Sequence, residues 1–269
     1  MLRRDLLVRL GGGLGAAAVL AACGTGSRES GSPGTMRPVE RIDYGPDPSQ
    51  FAELTRPAGR SRGVVVVIHG GFWRAAYDLS LGRPLAAALA EQGWTAWNLE
   101  YRRVGGGGGW PVTGQDVGRG IDALADVPDL DLGRVVTLGH SAGGHLAVWA
   151  AGRADARVPV THAISQAGVL DLRAGSDLGG GAVGDLLGTD PDDVPEADPV
   201  RQVPLPVPVR CVHGRDDANV PLEQSERYVR AATTAGADAT LTVVDGDHFT
   251  LIDPASPAWQ RTLELLPGA

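Results

Sequence analysis

Apolar runs and amphipathic stretches alternate along most of the chain. Continuous apolar runs rich in β-branched residues are typical of strands buried on both faces of a sheet. These runs lie at residues 64–68, 94–99, 134–138, 160–166, 208–213 and 239–244. Stretches with the apolar spacing of a helix lie at residues 79–92, 112–126, 141–153, 221–235 and 254–266. Strands that alternate with helices predict an α/β fold, with a mainly parallel central sheet flanked by helices on both faces.

Two parts of the chain depart from this alternation. Residues 39–44 and 51–55 have the pattern of two short strands that precede the first buried one. Residues 169–206 are rich in Gly, Asp and Pro and contain only short apolar groups. Long irregular insertions in compact domains are usually functional or mobile. We therefore expect residues 169–206 to form a small cap over the functional site.

A candidate nucleophile lies where the predicted strand at 134–138 meets the predicted helix at 141–153. The sequence there is Gly-His-Ser-Ala-Gly at residues 139–143. A G-x-S-x-G sequence between a strand and a helix is typical of a nucleophile elbow, a tight turn that exposes its serine. A serine hydroxyl is a weak nucleophile unless it is held beside a base. Ser141 is therefore the predicted nucleophile, provided that a base is found for it.

A second loop, with the sequence His-Gly-Gly-Phe-Trp at residues 69–73, follows the strand predicted at 64–68. Acyl transfer needs backbone N–H groups aimed at the oxygen that becomes negative, and glycines let the chain approach it closely. We expect an oxyanion hole formed by the N–H of Ala142 together with that of Gly71 or Phe72. An ordinary glycine turn at the end of the strand is the alternative.

Candidates for the acid and the base follow the last two predicted strands. Asp216 and Asp217 come after the strand at 208–213, and their position favours Asp217 as the carboxylate that orients a histidine. Asp216 would then be a solvent-facing or capping residue. Of the six histidines, His248 alone lies in a loop after this acid in chain order. Ser141, Asp217 and His248 are the predicted catalytic triad.

The composition limits the possible partners. With 269 residues and 43% hydrophobic content, the chain suits one α/β domain with a substantial core. Its formal charge of -8, with no basic run, argues against nucleic acid as a partner, because phosphate contacts need clustered Lys and Arg. No cluster of Cys, His, Asp and Glu has metal-ligand spacing, so we predict no metal and no cofactor.

The N-terminal region has the features of an export signal. Arg3 and Arg4 precede an apolar stretch at residues 10–20 that is too short to span a bilayer comfortably. Small residues then lead to Cys23, as in a bacterial lipobox, where cleavage leaves the cysteine as a lipid-bearing N-terminus.

These features divide the chain into three parts. We expect residues 1–22 to be the signal, residues 23–38 a flexible tether and residues 39–269 the catalytic domain. The mature protein would be lipid-anchored to the cell membrane and face outside the cytoplasm. The alternative is a soluble secreted protein in which Cys23 is incidental.

Several residues near these loops have two interpretations. Trp73 and Trp110 are candidates for lining an acyl or aryl pocket, and ordinary packing suits their positions equally well. Glu100, Arg102 and Arg103 follow a strand and are expected to form a structural ion-pair group rather than a substrate site.

The motifs together resemble those of a known superfamily. Residues 41–259 are similar to the α/β-hydrolases and, among them, to small bacterial esterases of the feruloyl-esterase/deacetylase-like (BD-FAE-like) and kynurenine-formamidase-like group. The motifs that carry the resemblance lie at residues 69–74, 98–104, 139–144, 167–172, 213–221 and 246–249. The resemblance implies an α/β-hydrolase fold with Ser141 as nucleophile, His248 as base and Asp217 as acid. The chain departs from the family pattern at Phe72, where a third glycine is usual.

The predicted function is hydrolysis of carboxylic esters through an acyl-enzyme on Ser141. The partner would be a small acyl ester or amide, and the sequence leaves the oligomeric state open. An arylformamidase that uses the same triad is the alternative among enzymes. A non-catalytic envelope binding protein on a hydrolase scaffold is the alternative from another class.

Overall fold

A computed structural model of the protein describes residues 38–268. They form one eight-stranded sheet with helices on both faces, which confirms the predicted α/β-hydrolase fold. The strands are β1 (Glu40–Asp43), β2 (Phe51–Thr55), β3 (Val64–Ile68), β4 (Thr95–Leu99), β5 (Val135–His140), β6 (His162–Gln166), β7 (Val209–Gly214) and β8 (Ala239–Val244). Their order across the sheet is β1-β2-β4-β3-β5-β6-β7-β8.

The sheet is mainly parallel, as predicted. Strand β2 pairs antiparallel with both β1 and β4, so it runs opposite to its neighbours. From β4 to β8, every neighbouring pair is parallel. The carboxyl ends of these strands therefore share one edge of the sheet, which is where open α/β sheets bind their ligands. The loops that follow β3, β5, β7 and β8 all leave the sheet at this edge.

The described part of the chain contains six α-helices. They are α1 (Arg83–Glu91), α2 (Val112–Asp122), α3 (Ala142–Ala151), α4 (Ala182–Leu187), α5 (Glu223–Thr234) and α6 (Pro257–Leu263). Five of them lie inside predicted ranges, and each is shorter than its range. Two of those ranges also cover 3₁₀ turns, at Leu79–Gly82 and Ala123–Asp126, because the apolar spacing continues through them.

Alternation along β3 divides the core between the two faces of the sheet. Val64, Val66 and Ile68 pack in one apolar cluster, and Val65 and Val67 pack in the other. All five side chains are at most 1% exposed. The prediction of a strand buried on both faces is therefore confirmed for β3.

Residues 169–206 contain the short helix α4 and four 3₁₀ turns, and the helix is an element that the sequence pattern did not predict. This segment contacts the loop that follows β3. The guanidinium of Arg74 lies 2.7 Å from Oδ2 of Asp185 in α4. The Phe72 ring occupies the space beside Gly179, where an added Cβ would come within 2.3 Å of it. The segment therefore lies against the predicted oxyanion loop, and its role as a cap stays a prediction.

Within residues 38–268, no helix is long and apolar enough to cross a membrane. The predicted signal at residues 1–22, the predicted lipid site Cys23 and nearly all of the predicted tether lie outside the described residues.

Candidate active site

Ser141 lies in the sharp turn between β5 and α3. Its backbone has φ 56° and ψ −122°, a conformation that residues other than glycine rarely adopt. The glycines on either side make this turn possible. A Cβ on Gly139 would lie 2.0 Å from the carbonyl oxygen of Gly143, and a Cβ on Gly143 would lie 2.0 Å from that of Ile68. The strained serine and its two obligatory glycines have the geometry of a nucleophile elbow.

His248 and Asp217 are brought together from the loops that follow β8 and β7. Nδ1 of His248 lies 2.7 Å from Oδ2 of Asp217. Because a carboxylate can only accept, Nδ1 carries the proton and donates it. Nε2 of His248 is then left with its lone pair free. The ring therefore has the tautomer that a general base needs.

The carboxylate of Asp217 is fully buried and held as an anion. Its Oδ1 accepts hydrogen bonds from the backbone N–H groups of Asn219 and Val220, each at 2.8 Å. Burial by itself would raise the pKa of Asp217, but the nearby His213, at 3.5 Å, and hydrogen bonds from His248 and Val220 outweigh burial and lower it well below the usual range.

The structure separates the two adjacent acid candidates. Asp216 is exposed, and its backbone N–H donates to the carbonyl of Gly246 at 3.0 Å. Asp217 points inward and meets His248. This arrangement agrees with the choice of Asp217 over Asp216.

His140, the residue before Ser141, connects the nucleophile's strand to the base. Its Nε2 lies 2.9 Å from the carbonyl oxygen of His248, so Nε2 carries a proton and donates it. Burial, aided by the neighbouring His248, lowers the pKa of His140 to about 3, and the ring is neutral at ordinary pH. Within residues 38–268, Oγ of Ser141 forms no hydrogen bond to His248. Such catalytic hydrogen bonds are often long or poorly aligned before substrate binds.

The loop after β3 has three consecutive residues with positive φ. Gly71, Phe72 and Trp73 have φ of 108°, 55° and 54°. The N–H groups of Phe72 and Ala142 have no acceptor among the described residues, so both are available to an oxyanion. Tyr77 packs directly on Gly71, where an added Cβ would lie 2.3 Å from the tyrosine Cβ. Glycine at 71 is therefore required by both its φ and its contact.

A buried ionic group supports this loop from below. Nε2 of His69 lies 3.1 Å from Oε1 of Glu100, and Nη1 of Arg103 lies 2.8 Å from the same oxygen. Arg102 instead pairs with the buried carboxylate of Asp116, at 2.7 Å and 2.8 Å. The predicted ion-pair group is therefore present as two separate pairs, Glu100 with Arg103 and Asp116 with Arg102.

The two tryptophans proposed as pocket residues pack against the protein itself. Trp73 is 1% exposed, and its ring meets the buried ring of His145 edge-on, with centroids 5.3 Å apart. Trp110 packs edge-on against Trp149, with centroids 5.1 Å apart. Of the two interpretations of Trp73, packing is the one observed, because the loop turns this side chain into the core; substrate contact stays a prediction. Packing is also the observed role of Trp110.

An aromatic side chain that sequence reasoning passed over stands beside the base. Phe249 is 60% exposed, and its ring lies edge-on to His248, with centroids 5.3 Å apart. Tyr77, on the oxyanion loop, is 43% exposed. A large apolar side chain that is exposed beside a site is a candidate for contact with substrate, whereas a buried one usually belongs to the core.

The sequence shows His140 flanking Ser141 and His213 preceding a glycine turn, and it predicts no role for either in the triad. The structure places His140 on the carbonyl of His248 and His213 behind Asp217. The available signal was the position of each histidine at the end of a parallel strand, the edge to which the site belongs. Within residues 38–268, no group of three or more His, Cys, Asp and Glu residues could hold a metal ion.

The comparison with protein-family models decides the family. The BD-FAE model matches residues 54–231, about two thirds of the chain. The chain belongs to the BD-FAE family. As a BD-FAE protein with an α/β-hydrolase fold, it is a carboxylic ester hydrolase. This match does not test the predicted likeness to kynurenine formamidases, which stays a prediction.

Solved structures agree with the fold of this BD-FAE protein. A truncated carbohydrate esterase from gut microbiota superposes with a TM-score of 0.72 at 18% identity, covering 87% of this chain and 97% of its own. Esterase B from Lactobacillus rhamnosis gives 0.74 at 22% identity, with 87% and 85% covered. Esterase 2 of Thermogutta terrifontis, phosphonylated by sarin, gives 0.71 at 23% identity, with 87% and 94% covered. A comparison with curated proteins gives no match.

Proposed function

We propose that this BD-FAE protein hydrolyses carboxylic esters through a triad of Ser141, His248 and Asp217. The hydrogen bond of 2.7 Å between His248 and Asp217 carries the proposal, because it leaves Nε2 of His248 free as a base. The serine elbow follows β5, and His140 at the end of β5 donates to the backbone carbonyl of His248 at 2.9 Å.

The reaction begins when Oγ of Ser141 attacks the ester carbonyl carbon and Nε2 of His248 takes the serine proton. Asp217 holds the ring and stabilises the imidazolium that forms. The carbonyl oxygen becomes negative and accepts hydrogen bonds from the backbone N–H groups of Ala142 and of Phe72 or Gly71. Collapse of the tetrahedral intermediate breaks the bond to the leaving alcohol, which takes the proton from His248.

Deacylation repeats these steps with water. Nε2 of His248 removes a proton from a water molecule as the water attacks the acyl carbon of the Ser141 ester. The second tetrahedral intermediate then releases the carboxylic acid, and the proton returns from His248 to Oγ. The protein's own groups therefore complete the cycle without a cofactor.

Two further parts of the chain have proposed roles. Residues 169–206 would cap the site, supported by the contacts of Asp185 with Arg74 and of Gly179 with Phe72. Cys23 would carry a lipid that anchors the enzyme on the outer side of the cell membrane, supported by the signal-like sequence before it. Metabolic labelling with a fatty acid tests the anchor: the full chain should incorporate label, and Cys23→Ser should not.

A fluorophosphonate probe tests the proposed chemistry directly. The purified protein should be labelled once, and peptide mapping should place the label on Ser141. Labelling at another residue, or none, contradicts the proposal. Turnover of an aryl acetate, a feruloyl ester and an N-formyl aromatic amide then separates ester hydrolysis from the arylformamidase alternative. We expect the esters to be the better substrates.

A further inference from the structure

A buried chain of polar groups continues behind Asp217, on the side away from His248. Nε2 of His213 lies 2.9 Å from the carbonyl oxygen of Val220 and 3.5 Å from Oδ2 of Asp217. Nδ1 of His213 lies 2.8 Å from Oγ of Ser225, in the first turn of α5. His213 and Ser225 have no exposed surface, and the chemistry described above uses neither.

In the neutral ring of His213, the hydrogen-bond partners fix which nitrogen carries the proton. A carbonyl oxygen can only accept, so the proton lies on Nε2 and points at Val220 and, at longer range, at Asp217. Nδ1 is then an acceptor, and the hydroxyl of Ser225 must donate to it. Ser225 thus selects both the tautomer and the ring orientation of His213.

We propose that His213 and Ser225 are positioning residues for the catalytic acid. His213 holds its Nε2–H, which donates to Val220, 3.5 Å from Oδ2 of Asp217, the oxygen that accepts from His248. Ser225 holds His213 in the tautomer that places a proton there. This inference rests on the proposed triad, because it assigns a role through Asp217. His213, together with the two backbone N–H groups that donate to Oδ1, holds the carboxylate of Asp217 in one orientation toward His248.

A positioning role for His213 predicts a change in the pH dependence of activity that simple packing would not produce. An N–H dipole 3.5 Å from Oδ2 stabilises negative charge of Asp217 that would otherwise act on His248 alone. Removing that N–H increases the proton affinity of the His248–Asp217 pair. The acidic limb of the kcat/KM profile should then move to higher pH.

Other titratable groups around this chain hold one charge state through the assay range. Burial raises the pKa of the Cys211 thiol to about 12 and also raises that of the Tyr228 hydroxyl. Burial lowers the pKa of His140 to about 3. Hydrogen bonds from Thr250 lower the pKa of the Asp247 carboxyl, which therefore stays ionised.

The test compares Ser225→Ala with Ser165→Ala in the full chain. Both serines are fully buried, but Oγ of Ser165 has no hydrogen-bond partner in the described residues. We expect Ser225→Ala to lower kcat several-fold, with little change in KM, and to move the acidic limb of the profile to higher pH. Ser165→Ala should keep the wild-type profile.

Two variants at His213 complete the test. His213→Leu removes this N–H and should lower kcat by about fivefold, less than the loss of a full hydrogen bond to a charged group would. His213→Gln retains an N–H near the position of Nε2 and should recover most of the lost rate. If Ser225→Ala folds and keeps the wild-type pH profile, or loses rate with an unmoved profile, the positioning role is wrong. Full activity in Ser141→Ala would instead overturn the triad itself.

Discussion

Nδ1 of His248 lies 2.7 Å from Oδ2 of Asp217, and both side chains are almost completely buried. This contact joins the loops that follow two neighbouring strands, β7 and β8. The two residues are 31 positions apart in the sequence. It sets the tautomer of His248 and leaves Nε2 as the base for Ser141. The chemistry that we propose depends on this pairing.

Replacing Asp217 by Asn should therefore abolish most of the activity while preserving the fold. An amide can offer an N–H where the carboxylate accepts, which favours the wrong tautomer of His248. Loss of this carboxylate typically lowers kcat by about 10⁴-fold in serine hydrolases. The measurement is kcat on an aryl acetate, with circular dichroism to confirm folding. Asp216→Asn is the matched control and should remain within about twofold of the wild type, because Asp216 is exposed.

The buried histidines should make stability depend on pH. Burial lowers the pKa of His145 from 6.5 to about 4, while the unfolded chain keeps the ordinary value. Between these pH values the unfolded state binds a proton that the folded state does not, so the free energy of unfolding falls as the pH drops from 6.5 toward 4. Urea unfolding at several pH values measures this slope. His145→Gln should reduce the slope by at most about 1.4 kcal/mol per pH unit, and an unchanged slope would contradict the assignment.

The elbow glycines should tolerate no side chain. In Gly143→Ala, the new Cβ would lie 2.0 Å from the backbone oxygen of Ile68, so the strand or the helix must shift. We expect a loss of about 3 kcal/mol in the free energy of unfolding, or failure to fold. Gly184→Ala, in α4, is the control: its Cβ would meet nothing within 4 Å, and the variant should be neutral or slightly stabilised. Equal stability of both variants would argue against the described turn.

Phe249 should contribute to substrate binding rather than to the chemical step. Its ring is exposed beside His248, where an apolar part of the ester can cover it. Burying part of such a side chain is typically worth about 1 kcal/mol, so Phe249→Ala should raise KM for a butyrate ester about fivefold and leave kcat nearly unchanged. Val39→Ala is the control, because Val39 is 57% exposed and precedes β1. An unchanged KM in Phe249→Ala would assign this ring no role in binding.

The sequence was sufficient to predict every strand of the sheet and its mainly parallel arrangement. Runs such as Val64–Ile68 are apolar at every position, which only a strand covered on both faces requires. The glycines around Ser141 indicated a tight turn, and the turn is present with positive φ at the serine. These features are local, so the sequence pattern records them.

Contacts between distant parts of the chain could not be predicted in this way. Trp73 lies in the loop that follows β3, and its burial depends on the packing of its ring against the distant His145. The exposure of Phe249 and the burial of His213 likewise depend on neighbours contributed by other loops and helices. Periodicity carries no information about such neighbours.

The most direct test of the central claim is the turnover of Ser141→Ala on a chromogenic acyl ester. If Ser141 is the nucleophile, the purified and folded variant should lose about 10⁶-fold in kcat relative to the wild type. It should also take up no fluorophosphonate. A Ser141→Ala protein that hydrolyses the ester at the wild-type rate would contradict the account.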